Sequence, residues 1–206
     1  ATITVTPLFT DDINCDGISQ TFTIIVNPTA QVNDLADQII CNTETTSVAF
    51  TTNNTGGTTT YAWTNDTESI GLAELGTGDI ASFNAVNTDT QPVTATIVVT
   101  PTFTNNGVSC TGPSETFTIT VNPTGQVDSI DDQVLCNTEA TTAITFTTDN
   151  ISGTTTYSWT NDTPSINLPA TGSGDIVSFN AVNTDTQPVT ATIVVTPTFT
   201  NNGVSC

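Results

Sequence analysis

The stretch SFNAVNTDTQPVTATIVVTPTFTNNGVSC occupies residues 82–110 and recurs, letter for letter, at residues 178–206. Within it, residues 94–100 (TATIVVT) alternate polar Thr with apolar Ala95, Ile97 and Val99. This period of two is typical of a β-strand with one buried face. The repeat and the alternation together predict a β-protein built from tandem copies of one unit.

Other segments extend the repeat to about 95 residues. CNTETTSVAF begins at Cys41 and returns 95 residues later as CNTEATTAITF at Cys136. YAWTNDT begins at Tyr61 and returns as YSWTNDT at Tyr157, with a spacing that is one residue longer. The proline of each Val-Asn-Pro-Thr segment lacks a ladder donor and can end a strand, so we place the boundaries there. The predicted parts are the C-terminal part of a preceding repeat (1–28), a complete repeat (29–123) and a repeat that lacks its last strand (124–206).

The rest of each unit also carries β signals. Residues 116–121 (TFTITV) alternate cleanly, and Asn-Asn-Gly and Thr-Gly-Gly stretches supply turns. No segment has a helical period. About seven short strands around one central Trp describe an immunoglobulin-like sandwich, so we predict an all-β fold of tandem β-sandwich repeats. The predicted core aromatics are Tyr61, Trp63, Tyr157 and Trp159.

The composition excludes several classes of function. The chain has no Lys, Arg or His and has 20 Asp plus Glu, which gives a net charge of −20. Binding to a phosphate backbone needs Lys or Arg, and an anionic membrane surface would repel this chain, so we expect neither a nucleic-acid partner nor a membrane partner. No apolar run approaches the length of a transmembrane span, so we expect no membrane insertion.

The five cysteines allow two regular pairings. Within units, Cys41 would pair with Cys110 and Cys136 with Cys206; across units, Cys15 would pair with Cys41 and Cys110 with Cys136. A last strand of about ten residues would separate the late cysteine of one unit from the next unit by about 30 Å, far beyond disulfide reach. The sequence therefore predicts intra-unit disulfides, with Cys15 left over, and an oxidising, exported location.

Acidic residues just after each boundary are candidate ligands for a junctional calcium ion. Calcium takes six to eight oxygen ligands, but the spacing of these carboxylates does not match a calcium loop. We therefore predict a solvated acidic surface with no metal or other cofactor, and keep a calcium-stiffened array as an alternative. The residues concerned are Asp34, Asp37, Asp128, Asp131 and Asp132.

Catalysis is not expected. The chain lacks His and Lys, the usual general bases and Schiff-base nucleophiles. Glu68 and Glu74 are replaced by Pro and Ala in the next unit, so only one copy has them. The carboxylates that both copies keep have no evident partner acid or base; they are Asp66, Asp79, Asp162 and Asp175.

The repeat has the pattern VNPTxQV…DQxxCNxE…PVTATIxVTPTFTNxGxSC, with the motifs TTTYxWTNDTxSI and CTGPSETFTITVNP. This pattern resembles the immunoglobulin/PKD-like repeats of giant surface adhesins in Bacteroidota, especially the SprB-type gliding-motility adhesins of flavobacteria. The resemblance covers the whole chain. It implies a filament that the type 9 secretion system exports and the outer membrane displays, where motility machinery moves it.

The function expected from this resemblance is a structural repeat of a long extracellular adhesin filament. The chain would act as a stalk or spacer and take part in surface attachment and gliding motility. The expected partners are neighbouring repeats, extracellular surfaces or polysaccharide, and the secretion and motility machinery. A glycan-binding module, which would need exposed aromatic side chains, and the calcium-stiffened module are the alternatives.

Overall fold

A computed structural model describes residues 1–206. The chain is all-β, with sheets packed in a sandwich, which confirms the predicted immunoglobulin-like class. The strands are β1 (Thr2–Val5), β2 (Leu8–Thr10), β3 (Asn14–Asp16), β4 (Gln20–Thr23), β5 (Gln38–Cys41), β6 (Thr45–Val48), β7 (Thr58–Asn65), β8 (Leu75–Thr77), β9 (Ile80–Asn84), β10 (Val93–Asn105), β11 (Val108–Thr111), β12 (Glu115–Asn122), β13 (Thr154–Asn161), β14 (Thr171–Ser173), β15 (Ile193–Asn201) and β16 (Val204–Ser205).

The only helical elements are two short 3-10 helices, Glu68–Ile70 and Pro164–Ile166. Neither of them approaches the length and apolar character that crossing a bilayer would require.

The complete unit, residues 29–123, has eight strands in two sheets. The larger sheet has the order β5-β12-β10-β7-β8, and β11 forms a hairpin with β10. The smaller sheet pairs β6 with β9. The alternation that predicted β10 places Ala95, Ile97 and Val99 in the core between the sheets, where they are buried. The threonines that alternate with these residues face outward, as expected for a strand with one buried face and one solvent-exposed face.

The first strand of the unit runs parallel to its last strand. Cys41, at the end of β5, lies opposite Asn122, at the end of β12. Both strands therefore finish at the same end of the unit, which we call the downstream end because the chain leaves there. The opposite end is the upstream end. This arrangement decides where the cysteines lie.

The flanking segments repeat the same pairings. Ile3 faces Phe22 in the β1–β4 pair as Ile97 faces Phe117 in the β10–β12 pair. Residues 124–206 keep the counterparts of β7, β8 and β10, but no counterpart of β12 lies against β15. Ile193, the counterpart of the buried Ile97, is consequently only half-buried.

The missing strand has a second consequence in residues 124–206. Residues 133–136, which correspond to β5, form no strand. Strand β5 obtains its hydrogen bonds from β12, so it cannot form without that partner. The core here has four buried residues, against fourteen in the complete unit.

Each Trp packs on a glycine of the neighbouring strand. Gly76 lies opposite Trp63, and a Cβ atom at Gly76 would overlap the Trp63 ring. Gly172 and Trp159 repeat this contact. The first position of each Gly-x-Gly-Asp segment is therefore restricted to glycine, since the indole ring fills the space that a side chain would need.

This contact gives a stability prediction. Gly76→Ala is expected to lower the free energy of unfolding by about 1–3 kcal/mol because the methyl group overpacks a filled core. Trp63→Phe, which removes the overlapped part of the ring, should recover part of that loss in the double variant. Urea unfolding measures both effects, with the exposed neighbour Thr77→Ala as the control. A Gly76→Ala variant as stable as the control would contradict the proposed contact.

Candidate functional site: the junction between units

The junction is built from the hairpin that precedes the last strand of each unit. We call residues 102–111 the late hairpin, and residues 198–206 its counterpart. Asn27, at the end of the preceding segment, donates to the carbonyl oxygens of Asn105 (3.3 Å) and Val108 (3.4 Å). Asn105 Nδ2 donates in return to Asn27 Oδ1 at 3.0 Å. The late hairpin therefore lies at the upstream end of its unit, against the unit before it.

The second junction repeats two of these three hydrogen bonds. Asn201 Nδ2 donates to Asn122 Oδ1 at 3.0 Å, and Asn122 Nδ2 donates to the Val204 carbonyl at 3.5 Å. Asn122 is 0% exposed although its side chain is polar, and these bonds satisfy it. The two reciprocal bonds that both junctions share indicate one repeated docking geometry.

Apolar packing closes the same surface. Phe199, in the late hairpin of the second unit, is 0% exposed and packs on Gly153. A Cβ atom at Gly125 would lie 3.0 Å from the Phe199 amide nitrogen, so the linker passes directly over the hairpin. Pro123 is fully buried at this place. The linker is thus packed rather than free, and it leaves little room for bending.

A third contact joins the two units on another side. The Thr90 carbonyl of the complete unit accepts from the Ile151 amide at 2.9 Å and from Asn150 Nδ2 at 3.4 Å. Asn150 also accepts from the Gln126 amide at 2.7 Å. A loop of the second unit is therefore fixed both to its own linker and to the unit before it.

The disulfide of the chain lies at this junction and contradicts the predicted pairing. Cys41 is bonded to Cys206, with a Cα–Cα distance of 5.5 Å. Cys110 and Cys136 are free thiols, as is Cys15. The prediction of intra-unit disulfides Cys41–Cys110 and Cys136–Cys206 is wrong, and the alternative adjacent pairing is not the observed one either.

The topology explains this error. Cys110 lies one strand length before the next unit, as predicted, and it faces Phe103 in the late hairpin at the upstream end. Cys41, however, lies at the downstream end, level with the start of β10 at Val93. Ten residues of β10 separate these levels, or about 33 Å, whereas disulfide Cα atoms lie within about 7 Å. The next unit brings its own late hairpin, and therefore Cys206, to Cys41.

The acidic residues considered for the alternative calcium site do not converge. Asp37 accepts from the Thr118 amide at 2.7 Å, and Asp128 accepts from the Thr147 hydroxyl. Asp34, Asp131 and Asp132 are exposed. No three Asp, Glu or Cys side chains come together in an arrangement that could hold a metal ion.

The carboxylates that both units keep hold backbone groups. Asp79 Oδ1 accepts from the Phe50 amide at 2.8 Å, and Asp175 repeats this bond with Phe146 at 2.9 Å. The burial of Tyr61 raises the pKa of its phenol, and the nearby Asp79 charge adds to this increase.

Asp66 directly follows β7, and its counterpart Asp162 directly follows β13. Each accepts a backbone amide, from Thr96 at 2.7 Å and from Thr192 at 2.8 Å. These amide hydrogen bonds, with a smaller contribution from the neighbouring threonine hydroxyls, hold the pKa of both carboxyls below the ordinary value. Glu68, present in one copy only, accepts from the Glu74 amide at 3.2 Å.

The aromatic residues pack in the two cores. Trp63 is 8% exposed and Trp159 is 7% exposed. Tyr61 and Tyr157 are half-buried and lie 5.4 Å and 5.3 Å, centroid to centroid, from neighbouring Phe rings. Neither Trp offers the open face on which a sugar ring stacks.

Sequence reasoning missed the asparagines of the junction. In the sequence, Asn27 and Asn122 stand out only as neighbours of the boundary prolines. The available signal was their position: each precedes a proline, and an Asn-Asn-Gly turn begins 78 residues after Asn27 and 79 residues after Asn122. Asn supplies both a donor and an acceptor without charge, which suits a contact between surfaces that are both acidic.

Comparison with protein-family models finds no match to the chain, and comparison with curated proteins finds none either.

The Cys41–Cys206 disulfide gives a second stability prediction. Cys41→Ser opens a loop with a sequence separation of 165 residues. In the chain-entropy account, a loop of this size contributes about 5 kcal/mol, so the melting temperature is expected to fall sharply. Cys136→Ser, which removes an exposed free thiol, is the matched control and should change little. Equal melting temperatures for the two variants would contradict the observed pairing.

The lowered pKa values give a prediction on pH. A carboxyl whose folded-state pKa lies below its unfolded value stabilises the fold above about pH 4 and loses that contribution as the pH falls through the folded-state pKa. Asp66→Asn should therefore destabilise the chain at pH 7 and matter progressively less below about pH 4. Denaturant unfolding across this range measures the difference. The control is Asp149→Asn, whose carboxylate is exposed and accepts no hydrogen bond; a pH-independent Asp66→Asn effect would refute the assignment.

Proposed function

We propose that the chain is a stalk segment of a long extracellular adhesin filament, displayed at the outer membrane of the cell that makes it. The observation that carries this proposal is the repeated junction. Asn27 and Asn122 each accept from the first Asn of the late hairpin that follows and each donate to its Val carbonyl. A contact that recurs with the period of the sequence lets units stack in one direction without limit, as in other repeat proteins.

The dimensions of the unit suit a spacer. Strand β10 has 13 residues and runs between the two ends of the complete unit. At about 3.3 Å per residue this strand spans about 40 Å, so each added unit is expected to lengthen the filament by about that amount. The packed linker makes the array semi-rigid, which a stalk requires.

The surface chemistry also favours a stalk. With 20 acidic residues and no Lys, Arg or His, neighbouring filaments repel one another, and this repulsion weakens as salt rises. The disulfide suits an oxidising location outside the cytoplasm. The buried tryptophans do not favour glycan binding by stacking. Export by type 9 secretion and a part in gliding motility belong to this proposal through the sequence resemblance alone.

Immunogold labelling of intact cells tests the location. Antibody raised against the 206-residue chain should label a surface filament, and brief treatment of the cells with a protease that cuts at Asp should remove the label. The same treatment with heat-inactivated protease is the matched control. Label that requires permeabilised cells would overturn the proposal.

The stalk role has a test of its own. In-frame removal of residues 29–123 from the protein on its own cells should shorten the filament by about 40 Å in electron micrographs. Attachment of cells to a surface should persist in a shear-free assay, because a stalk sets reach and does not itself bind. Complete loss of attachment at unchanged surface display would assign binding to the repeat itself.

A further inference from the structure

The chain has one disulfide and three free cysteines, and the repeat explains why the other cysteines are unpaired. We call Cys41 and Cys136 the early cysteines of their units, and Cys15, Cys110 and Cys206 the late cysteines. The observed bond joins the early cysteine of one unit to the late cysteine of the next. Under this rule, Cys110 would bond an early cysteine in the unit before it, and residues 1–28 contain none.

The first junction is built to bring such a pair together. Asn105 and Val108 contact Asn27 as Asn201 and Val204 contact Asn122. The register within the late hairpin is also the same, since Cys110 faces Phe103 while Cys206 exchanges two backbone hydrogen bonds with Phe199. Cys110 therefore occupies, relative to the preceding segment, the place that Cys206 occupies relative to the complete unit.

The early cysteine is held by features of its own unit. The Cys41 amide donates to Glu44 at 2.9 Å, and the Asn42 amide donates to the Asn122 carbonyl at 2.9 Å. Cys136 has the same turn, with its amide donating to Glu139 at 2.8 Å. Each early cysteine is thus presented by a local turn at the downstream end of its unit, where a following hairpin docks.

We propose that, in an array of these units, every junction carries a disulfide between the early cysteine of one unit and the late cysteine of the next. Each bond forms when two thiols lose two protons and two electrons. The electrons pass to a disulfide-bearing oxidant, a thiol–disulfide oxidoreductase in the cell or oxidised glutathione in solution, which is reduced to its thiols. The inference concerns the junction and does not depend on the proposed role in adhesion.

This pattern would make the array almost unable to lengthen by unfolding. Successive disulfide loops overlap, because each spans from an early cysteine nearly to the end of the next unit. A pulling force passes through each disulfide to the late cysteine of the next unit. From there only 26 residues of chain, the spacing of Cys110 and Cys136, separate it from the next early cysteine, where the next disulfide takes up the force. Fully extended, 26 residues reach about 90 Å, close to the length of about 80 Å that two folded units have.

An extended chain tests the proposal. Residues 29–94 are added before Ala1, which completes the first unit and supplies it with an early cysteine. A Ser47→Thr change in the added copy alone marks its peptide by mass. Cleavage before Asp places every cysteine on a separate peptide, because an Asp lies between each pair. After oxidation with glutathione, we expect the marked peptide to be joined to the peptide that contains Cys110.

The Cys41–Cys206 bond in the same molecules is the internal control for folding. With that bond present, a marked peptide joined to Cys15, or left as a free thiol beside a free Cys110, would overturn the proposal. A matched chain whose added cysteine is replaced by Ser should return Cys110 to a free thiol. If Cys110 stayed blocked in that chain, it would have a partner other than the early cysteine, and the proposal would again fail.

Discussion

The parallel pairing of the first and last strands of the unit is the constraint on which the rest of the structure depends. Strand β5 takes its hydrogen bonds from β12, and the register sets Cys41 beside Asn122. The first strand therefore ends, with its cysteine, at the end of the unit from which the chain leaves. If β5 lay elsewhere, Cys41 could not meet the following unit. Where β12 has no counterpart, after residue 124, the strand corresponding to β5 does not form.

The junction joins two acidic surfaces without using charge. The chain has no cationic side chain, so ion pairs between side chains cannot hold its units together. Neutral amides carry the contact instead, and Asn122, buried and bonded, lies at its centre. Amide hydrogen bonds are little affected by salt, unlike the repulsion between carboxylates. Rising salt should therefore weaken the repulsion between filaments more than the cohesion within one filament.

The sequence predicted those features that local patterns determine. Alternation in residues 94–100 located the buried face of β10, and the Tyr-x-Trp spacing located the aromatic core. The disulfide could not be predicted in this way, because it depends on which end of the sandwich Cys41 reaches. That end is set by the pairing of two strands that lie about 80 residues apart in the chain, and no period of the sequence reports it. Once the parallel pairing is known, the positions of all five cysteines follow from the repeat.

The central claim is that the disulfide braces neighbouring units so that tension bypasses the folds between them. Single-molecule stretching of the 206-residue chain between its two termini tests this most directly. In the oxidised chain, only the residues before Cys41 lie outside the loop, so extension is expected to stop after a gain of at most about 140 Å. With reductant, or in Cys41→Ser, the 165-residue separation should be released and add about 580 Å of contour length. Release of that length from the oxidised chain would contradict the account.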